Sequence, residues 1–438
     1  MENIIIVSDE NVIKTYKRRY FILTLLSASI FISSFQVYEQ SSIADVIIRY
    51  YGVTYVAVSW TALLESLPSI FLFYHIGKFI NYYQLRKTML LATFFCVIGS
   101  FVKCFTLNRN HFWLLIISKI FPCFCYSIFY YVAPVLGATW FKPSEAGLVI
   151  GTLFASSSLG AAASFTLPLL FKHKNIEEIK NLFLILSLIC LLIYSALLCL
   201  MMFVLVDKPP KPPSVAAKKR SQAKRMPLKV LFTNRNFVLI MLISFFVAGL
   251  IHSFRITLNK SILSNFEMKA DILSITGILY LIFGIVGGLM SPAITRKYPK
   301  FKIIIILHLF LILLFTLLYL FSLWLSSVWL LYASISSLGI TFSGLIVLLI
   351  DYTVEVSFPF PESISISLVY LTGSVSSLIL TQIVTILAEH LCTLSANLVF
   401  VFAQTIAILL SMCLTKEMRR QAANRCENAN EVNSSDEL

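Results

Sequence analysis

The chain reads as an all-α integral membrane protein of twelve transmembrane helices in two six-helix halves. Three observations carry that reading. Twelve apolar stretches, each roughly 20 residues long, cover most of the 438 residues. Hydrophobic residues make up 58% and charged residues 13%, against roughly 25% charged in a soluble domain, and mean hydropathy is +0.86. One basic segment, Asp207 to Asn236, splits the stretches six and six. In hydrocarbon each backbone polar group must be satisfied within its own segment, so runs of this length are helices. A membrane β-barrel would show alternating segments of about ten residues, and none occur.

The first span, Tyr20–Gln40, follows the basic run Lys14–Arg19 and is full length, so it reads as a retained anchor rather than a cleaved signal. The second, Val56–Ile76, is apolar around Glu65. The turn Lys78–Lys87 separates it from the third, Thr88–Phe105. The fourth, Phe112–Leu136, carries Lys119. Only Gly137–Glu145, with Pro143, divides it from the fifth, Ala146–Leu170. The sixth, Leu182–Val206, runs into the linker, where Pro209-Pro210 and Pro212-Pro213 disfavour helix. The seventh, Phe237–Leu258, carries His252 and Arg255. The eighth, Ile272–Thr295, is followed by the basic turn Arg296–Lys302 and the ninth, Phe301–Leu323. The tenth, Val328–Ile350, ends beside Asp351 and Glu355. Ile364–Leu387 and Leu394–Leu414 complete the set. The expected organisation is a six-helix half over 1–206, a basic linker over 207–236, a second half over 237–415 and a tail over 416–438.

The net charge is +14, yet it does not suggest a nucleic-acid partner. About 25 of the Lys and Arg residues fall in segments that share one face of the membrane under this topology. The positive-inside rule makes that face cytoplasmic, with both termini and the linker on it. Such clusters also attract anionic lipid, although setting topology is the plainer role. The expected setting is the plasma membrane, with a monomer meeting a small-molecule substrate and membrane lipid. The nine Cys are scattered without ligand spacing, so neither a disulfide framework nor a metal site is expected. The C-terminal Ser-Asp-Glu-Leu lacks the Lys of an ER retrieval signal and falls on the cytoplasmic side. No phosphate-binding loop, HExxH or Ser-His-Asp set can be assembled, so neither an enzyme, a cofactor nor direct ATP coupling is expected.

Small residues at helical spacing mark close helix contacts: Gly147, Gly151 and Ala155 in the fifth span, Gly284 and Gly288 in the eighth, Gly373 and Ser377 in the eleventh. The loop Gly77 to Lys87 resembles the major facilitator loop motif of a Gly, an acid and a basic pair. Asn81 stands where that motif has Asp and Gln84 where it has Gly, while Arg86 and Lys87 remain. With twelve spans and a long central loop, this remnant points to the major facilitator fold, and it makes Arg86 a gating candidate.

Several blocks go further. They are Tyr16 to Tyr20, Phe35-Gln36, Arg49 to Val53, Val58-Ser59-Trp60, Lys103-Cys104, Trp140-Phe141, Ser158-Leu159-Gly160, Leu167-Pro168, Asn234 to Leu239, Leu258-Asn259, and Val354 to Pro359 with Glu362. Their order and spacing resemble the feline leukaemia virus subgroup C receptor family, a branch of the major facilitators. The resemblance implies alternating-access transport of choline and ethanolamine, and haem export has also been attributed to the family. It implies a cation–π site, but the family's ligand positions depart here. A Trp after Phe-Gln is Val37, a Gln before Leu-Gly is Ser158, a seventh-span Tyr is nearest to His252, and an eleventh-span Gln is Ser374. Weaker choline binding follows, with Val37→Trp expected to strengthen it. A membrane receptor or scaffold that keeps the fold without transport is the alternative.

Ionisable groups in the bilayer are costly and mark candidate sites: Glu39, Glu65, Lys119 and Arg255. Glu65 lies nearest the midplane. It either neutralises a substrate or carries a proton, or it pairs with Lys119 and only braces two helices. Gln36, Tyr38, Ser158, His252, Tyr370 and Ser374 complete the substrate-binding candidates. Asp351 and Glu355, at the cytoplasmic end of the tenth span, are candidates for an inner gate.

Overall fold

The structure, a computed structural model, describes residues 16–141, 146–207, 229–266, 270–298, 300–357, 362–391 and 393–415. Among these residues every regular element is a helix. The first half comprises α1 (Arg18–Ser42), α2 (Ala44–Tyr51), α3 (Tyr55–Leu63), α4 (Ser66–Lys103), α5 (Phe112–Trp140), α6 (Ala146–Ser164), α7 (Leu167–Leu170) and α8 (Ile176–Val204). After the linker come α9 (Lys229–Thr233), α10 (Arg235–Asn265), α11 (Ala270–Lys297), α12 (Phe301–Trp324), α13 (Val328–Ser357), α14 (Glu362–His390) and α15 (Thr393–Met412). Most of the linker, the tail, Pro143 and Phe358-Pro359 lie outside the described residues.

Eleven helical stretches among the described residues are long and apolar enough to cross a membrane. The expected second span differs: it is broken at Leu64–Glu65, between α3 and α4. Pro68 explains the break. It has no N–H to offer the Leu64 carbonyl four residues back, and Glu65 instead donates to Ala62, three residues back, at 3.3 Å. A second difference lies at Gly77 to Lys87, where a loop was expected and α4 keeps a helical backbone for 38 residues. The side chains of residues 72–84, Asn81 and Gln84 among them, lie outside the described set. The fifth span is also broken, because α6 stops before Pro168 and the short α7 takes over.

Exchange of halves relates the main packings. The second span, α3 with α4, packs against α14, the eleventh. The fifth, α6, packs against α11, the eighth. Exchanging each span with the one six places away in the other half, 2 with 8 and 5 with 11, turns one pair into the other, as a pseudo-two-fold arrangement requires. Of the glycines singled out in the sequence, Gly284 and Gly373 do sit at close contacts, where a Cβ would lie 2.7 Å from Ser343 Oγ and 2.8 Å from Ala248 Cβ, but the closest backbone approaches fall at others. A Cβ on Gly160 would lie 2.1 Å from the Phe31 carbonyl oxygen, and one on Gly287 would lie 2.0 Å from that of Ile340. Gly151 faces open space.

The end of α8 defines the linker side. There Arg18 donates to the Val204 and Phe203 carbonyls at 2.8 and 3.1 Å, and Arg86 to Met202 at 3.1 Å. Two cations thus meet the negative end of one helix. In the second half, Asn236 bonds Thr415 at 2.6 Å and Asn234 bonds the Val356 carbonyl at 3.2 Å. These linker-side bonds stay within a half. On the far side the bonds cross between halves. Asn259 donates to the Ser42 carbonyl at 2.8 Å and to Asp45 at 3.0 Å. Tyr55 donates to the Ile256 carbonyl at 3.0 Å. Glu389 accepts from the first-turn amides of α3, Tyr55 and Val56, at 3.3 and 3.0 Å.

Candidate substrate site between the halves

One cluster joins the halves at depth. Tyr38 comes from α1, Glu65 from the α3–α4 break, His252 and Arg255 from one face of α10 three residues apart, and Tyr280 from α11. The break lets Glu65 leave the regular helical register beside an otherwise apolar run. Its Oε1 lies 3.1 Å from His252 Nδ1 and accepts from Tyr38 Oη at 3.3 Å. Arg255 Nη1 donates to the same Tyr38 hydroxyl at 2.8 Å. The guanidinium carbon sits 5.2 Å from the Tyr38 ring centroid and 5.9 Å from that of Tyr280. Phe254, next to Arg255, packs on Tyr280, Tyr319, Phe342 and Phe400 and so fixes α10 against its own half. Glu65 Oε2 and Arg255 Nε are buried without a hydrogen-bond partner. The His252 side chain is 28% exposed, against 9% for Glu65. The arrangement can accept a proton, donate through a guanidinium and present aromatic faces.

The other membrane charges turn into the first half. Glu39, which is buried, forms an ion pair with Lys103 of α4, which is half-buried. Lys119 donates to the Val37 carbonyl at 2.8 Å and to Gln40 at 2.9 Å. The brace between Glu65 and Lys119 is therefore not what the structure forms; His252 is the partner of Glu65. Nor do Glu39 and Lys119 face the inter-half cluster through their bonds, although first- and fourth-span charges were expected to line a central cavity. Gln36 donates to Ser100 at 3.1 Å, also within the half. Val37 is completely buried. Ser158 on α6 and Tyr370 and Ser374 on α14 are half-buried. Arg86 is exposed and ties α4 to α8, while Asp351 is half-buried and Glu355 buried at the linker-side end of α13.

Sequence reasoning singled out neither Lys103 as the partner of Glu39 nor Tyr55, Asn259 and Glu389 as inter-half contacts. Thr54, which caps α3 by accepting from the Ala57 amide at 3.2 Å, signals where that helix starts. No sequence signal says that Glu389, hundreds of residues on, meets the same helix end.

The chain belongs to the Major Facilitator Superfamily, whose sequence model matches residues 25–381. It is a multi-pass membrane protein and, with that fold, a secondary transporter of a small molecule. Within the superfamily it is similar to transporters of the feline leukaemia virus subgroup C receptor type. It is 24% identical to the choline/ethanolamine transporter flvcr2a of Danio rerio, covering 96% of this chain and 91% of that one. To the human choline/ethanolamine transporter FLVCR2 it is also 24% identical, covering 95% and 81%. An uncharacterised major-facilitator-type transporter of Caenorhabditis elegans is 22% identical, covering 94% and 71%. Among solved structures, a D-xylose–proton symporter matches with a TM-score of 0.73 at 10% identity, covering 91% of this chain and 98% of that one. A bacterial homologue of the human lysosomal transporter Spinster, inward-facing and unoccupied, matches at 0.66 and 13% identity, covering 92% and 99%.

Proposed function

We propose that this transporter moves a small amino-alcohol-type solute, of the choline and ethanolamine class named for its relatives, by alternating access. Its halves are 1–206 and 237–415, with 207–236 as a basic linker and 416–438 as a tail. The linker side is the cytoplasmic one, both termini included, and the protein acts as a monomer in the plasma membrane without enzymatic activity. Basic juxtamembrane residues contact anionic lipid. The observation that carries the reading is the Tyr38–Glu65–His252–Arg255 cluster, because it joins the two halves where a solute would pass. The far-side bonds of Asn259, Tyr55 and Glu389 support a state closed on the outside.

Purified protein in proteoliposomes tests this. Radiolabelled ethanolamine should enter saturably and exchange against unlabelled ethanolamine inside. Glu65→Gln should cut that exchange at least about tenfold, the cost of one charge-assisted hydrogen bond. Neither flux nor countertransport of ethanolamine or choline would favour the receptor or scaffold reading, with which the departures at Val37, Ser158, His252 and Ser374 agree.

A further inference from the structure

We infer that Arg255 is a specificity-determining residue: its guanidinium occupies the cation seat between Tyr38 and Tyr280, so the wild-type transporter excludes quaternary ammonium solutes. This rests on the proposed transport reading for its meaning, and it is tested separately from it.

A quaternary ammonium has no N–H to donate. It is held by aromatic faces within about 6 Å of a ring centroid. The two rings that offer such faces in the cluster already have a cation there. Arg255 lies 5.2 Å from the Tyr38 centroid and 5.9 Å from the Tyr280 centroid. Its hydrogen bond to Tyr38 Oη at 2.8 Å holds it in place, and so does the aromatic packing of Phe254 on α10. A tethered occupant competes at an effective concentration far above that of a free solute. A second cation brought within about 5 Å of it is disfavoured by on the order of a hundredfold at a protein-like dielectric. The position after Gln36, Val37, offers no aromatic face to compensate.

The charges around the seat agree. Glu65 is the carboxylate in the cluster, and its Oε1 is engaged by His252 and Tyr38. Glu39 is taken by Lys103, and Lys119 is a buried cation bonded to the Val37 carbonyl, next to Tyr38 in the chain. With His252 neutral the cluster carries no net charge, and with His252 protonated it is positive. Neither state attracts a cation by charge alone, so a solute cation must be held by hydrogen bonds that it donates. Glu65 Oε2, which has no donor of its own, suits an N–H donor once the halves part. A primary ammonium such as that of ethanolamine supplies one. Choline does not.

Equilibrium binding of radiolabelled choline and ethanolamine to the purified full-length protein tests the inference. Wild type should bind choline at least about tenfold more weakly than ethanolamine. Arg255→Ala should gain choline affinity by about thirtyfold, the worth of a desolvated cation–π contact. Arg255→Lys keeps the charge and should gain none. Arg255→Gln, closer in volume, serves if Arg255→Ala does not fold as judged by its melting profile. The inference is overturned if wild type binds choline as tightly as ethanolamine, or if choline affinity stays unchanged or falls when the charge is removed. A choline gain in Arg255→Ala without ethanolamine binding in wild type would uphold the role of Arg255 and discard ethanolamine as the substrate.

Discussion

Single residues decide which charges serve the site. Glu39 and Glu65 look alike in the sequence, two carboxylates in apolar spans, but one is neutralised inside its half by Lys103 and the other reaches across to His252. Lys119 satisfies its donors with a backbone carbonyl and an amide, so removing Glu65 does not strand it. Val37 illustrates the reverse lesson. Resemblance predicts that Val37→Trp restores a choline site, yet the side chain is completely buried among the core residues of the cluster. The larger indole has no room there. Val37→Trp is expected to destabilise the protein by about 1–3 kcal/mol through overpacking, read as a lower melting temperature, and to leave choline binding no stronger.

Helices show where sequence reasoning succeeds and where it stops. Apolar runs of spanning length forecast the first, fourth, eighth, ninth, eleventh and twelfth spans to within about four residues at each end, because the bilayer leaves the backbone no alternative to helix. The spacing of small residues was a weaker guide. In α6 the contact that matters is Gly160 on the Phe31 carbonyl, not Gly151. Periodicity names a face but not which neighbour approaches it. Gly160→Ala is therefore expected to push α1 from α6 and cost more than about 1 kcal/mol, whereas Gly151→Ala should be neutral or slightly stabilising. Paired melting curves of the two variants check this. The break at Leu64–Glu65 was legible in principle, since Pro68 sits four residues after Leu64. The site partners were not. Glu65 with His252 and Asn259 with Asp45 are joined only by the tertiary fold, and nothing local to either residue encodes the meeting.

The whole molecule is held on one side. Asn259, Tyr55 and Glu389 tie the halves together on the face away from the linker, while the linker-side bonds named above stay within a half. Closure there is a sum of a few hydrogen bonds, each worth about 0.5–1.5 kcal/mol, or somewhat more where Asp45 and Glu389 bring a charge. Asn259→Ala with Glu389→Gln should shift the population toward the far-side-open form by about tenfold or more. Distance distributions between spin labels at Asn110 and Leu325, exposed on that side in opposite halves, measure it. An unchanged short distance would mean that packing of α14 on α3 and α4, rather than these bonds, keeps the halves together.

The carboxylate of Glu389 has one more effect. It completes the first turn of a helix that belongs to the other half, and α3 has only nine residues. A segment that short has little intrinsic helicity, and loss of Glu389 leaves Thr54 as its N-terminal cap. Parting the halves therefore also releases backbone disorder in α3, and that gain in entropy offsets part of the bonds lost. Warming should then favour the open form more than bond energies alone require. Amide hydrogen exchange in Tyr55–Leu63 should quicken in step with opening, so that this short helix reports the conformation of the whole transporter.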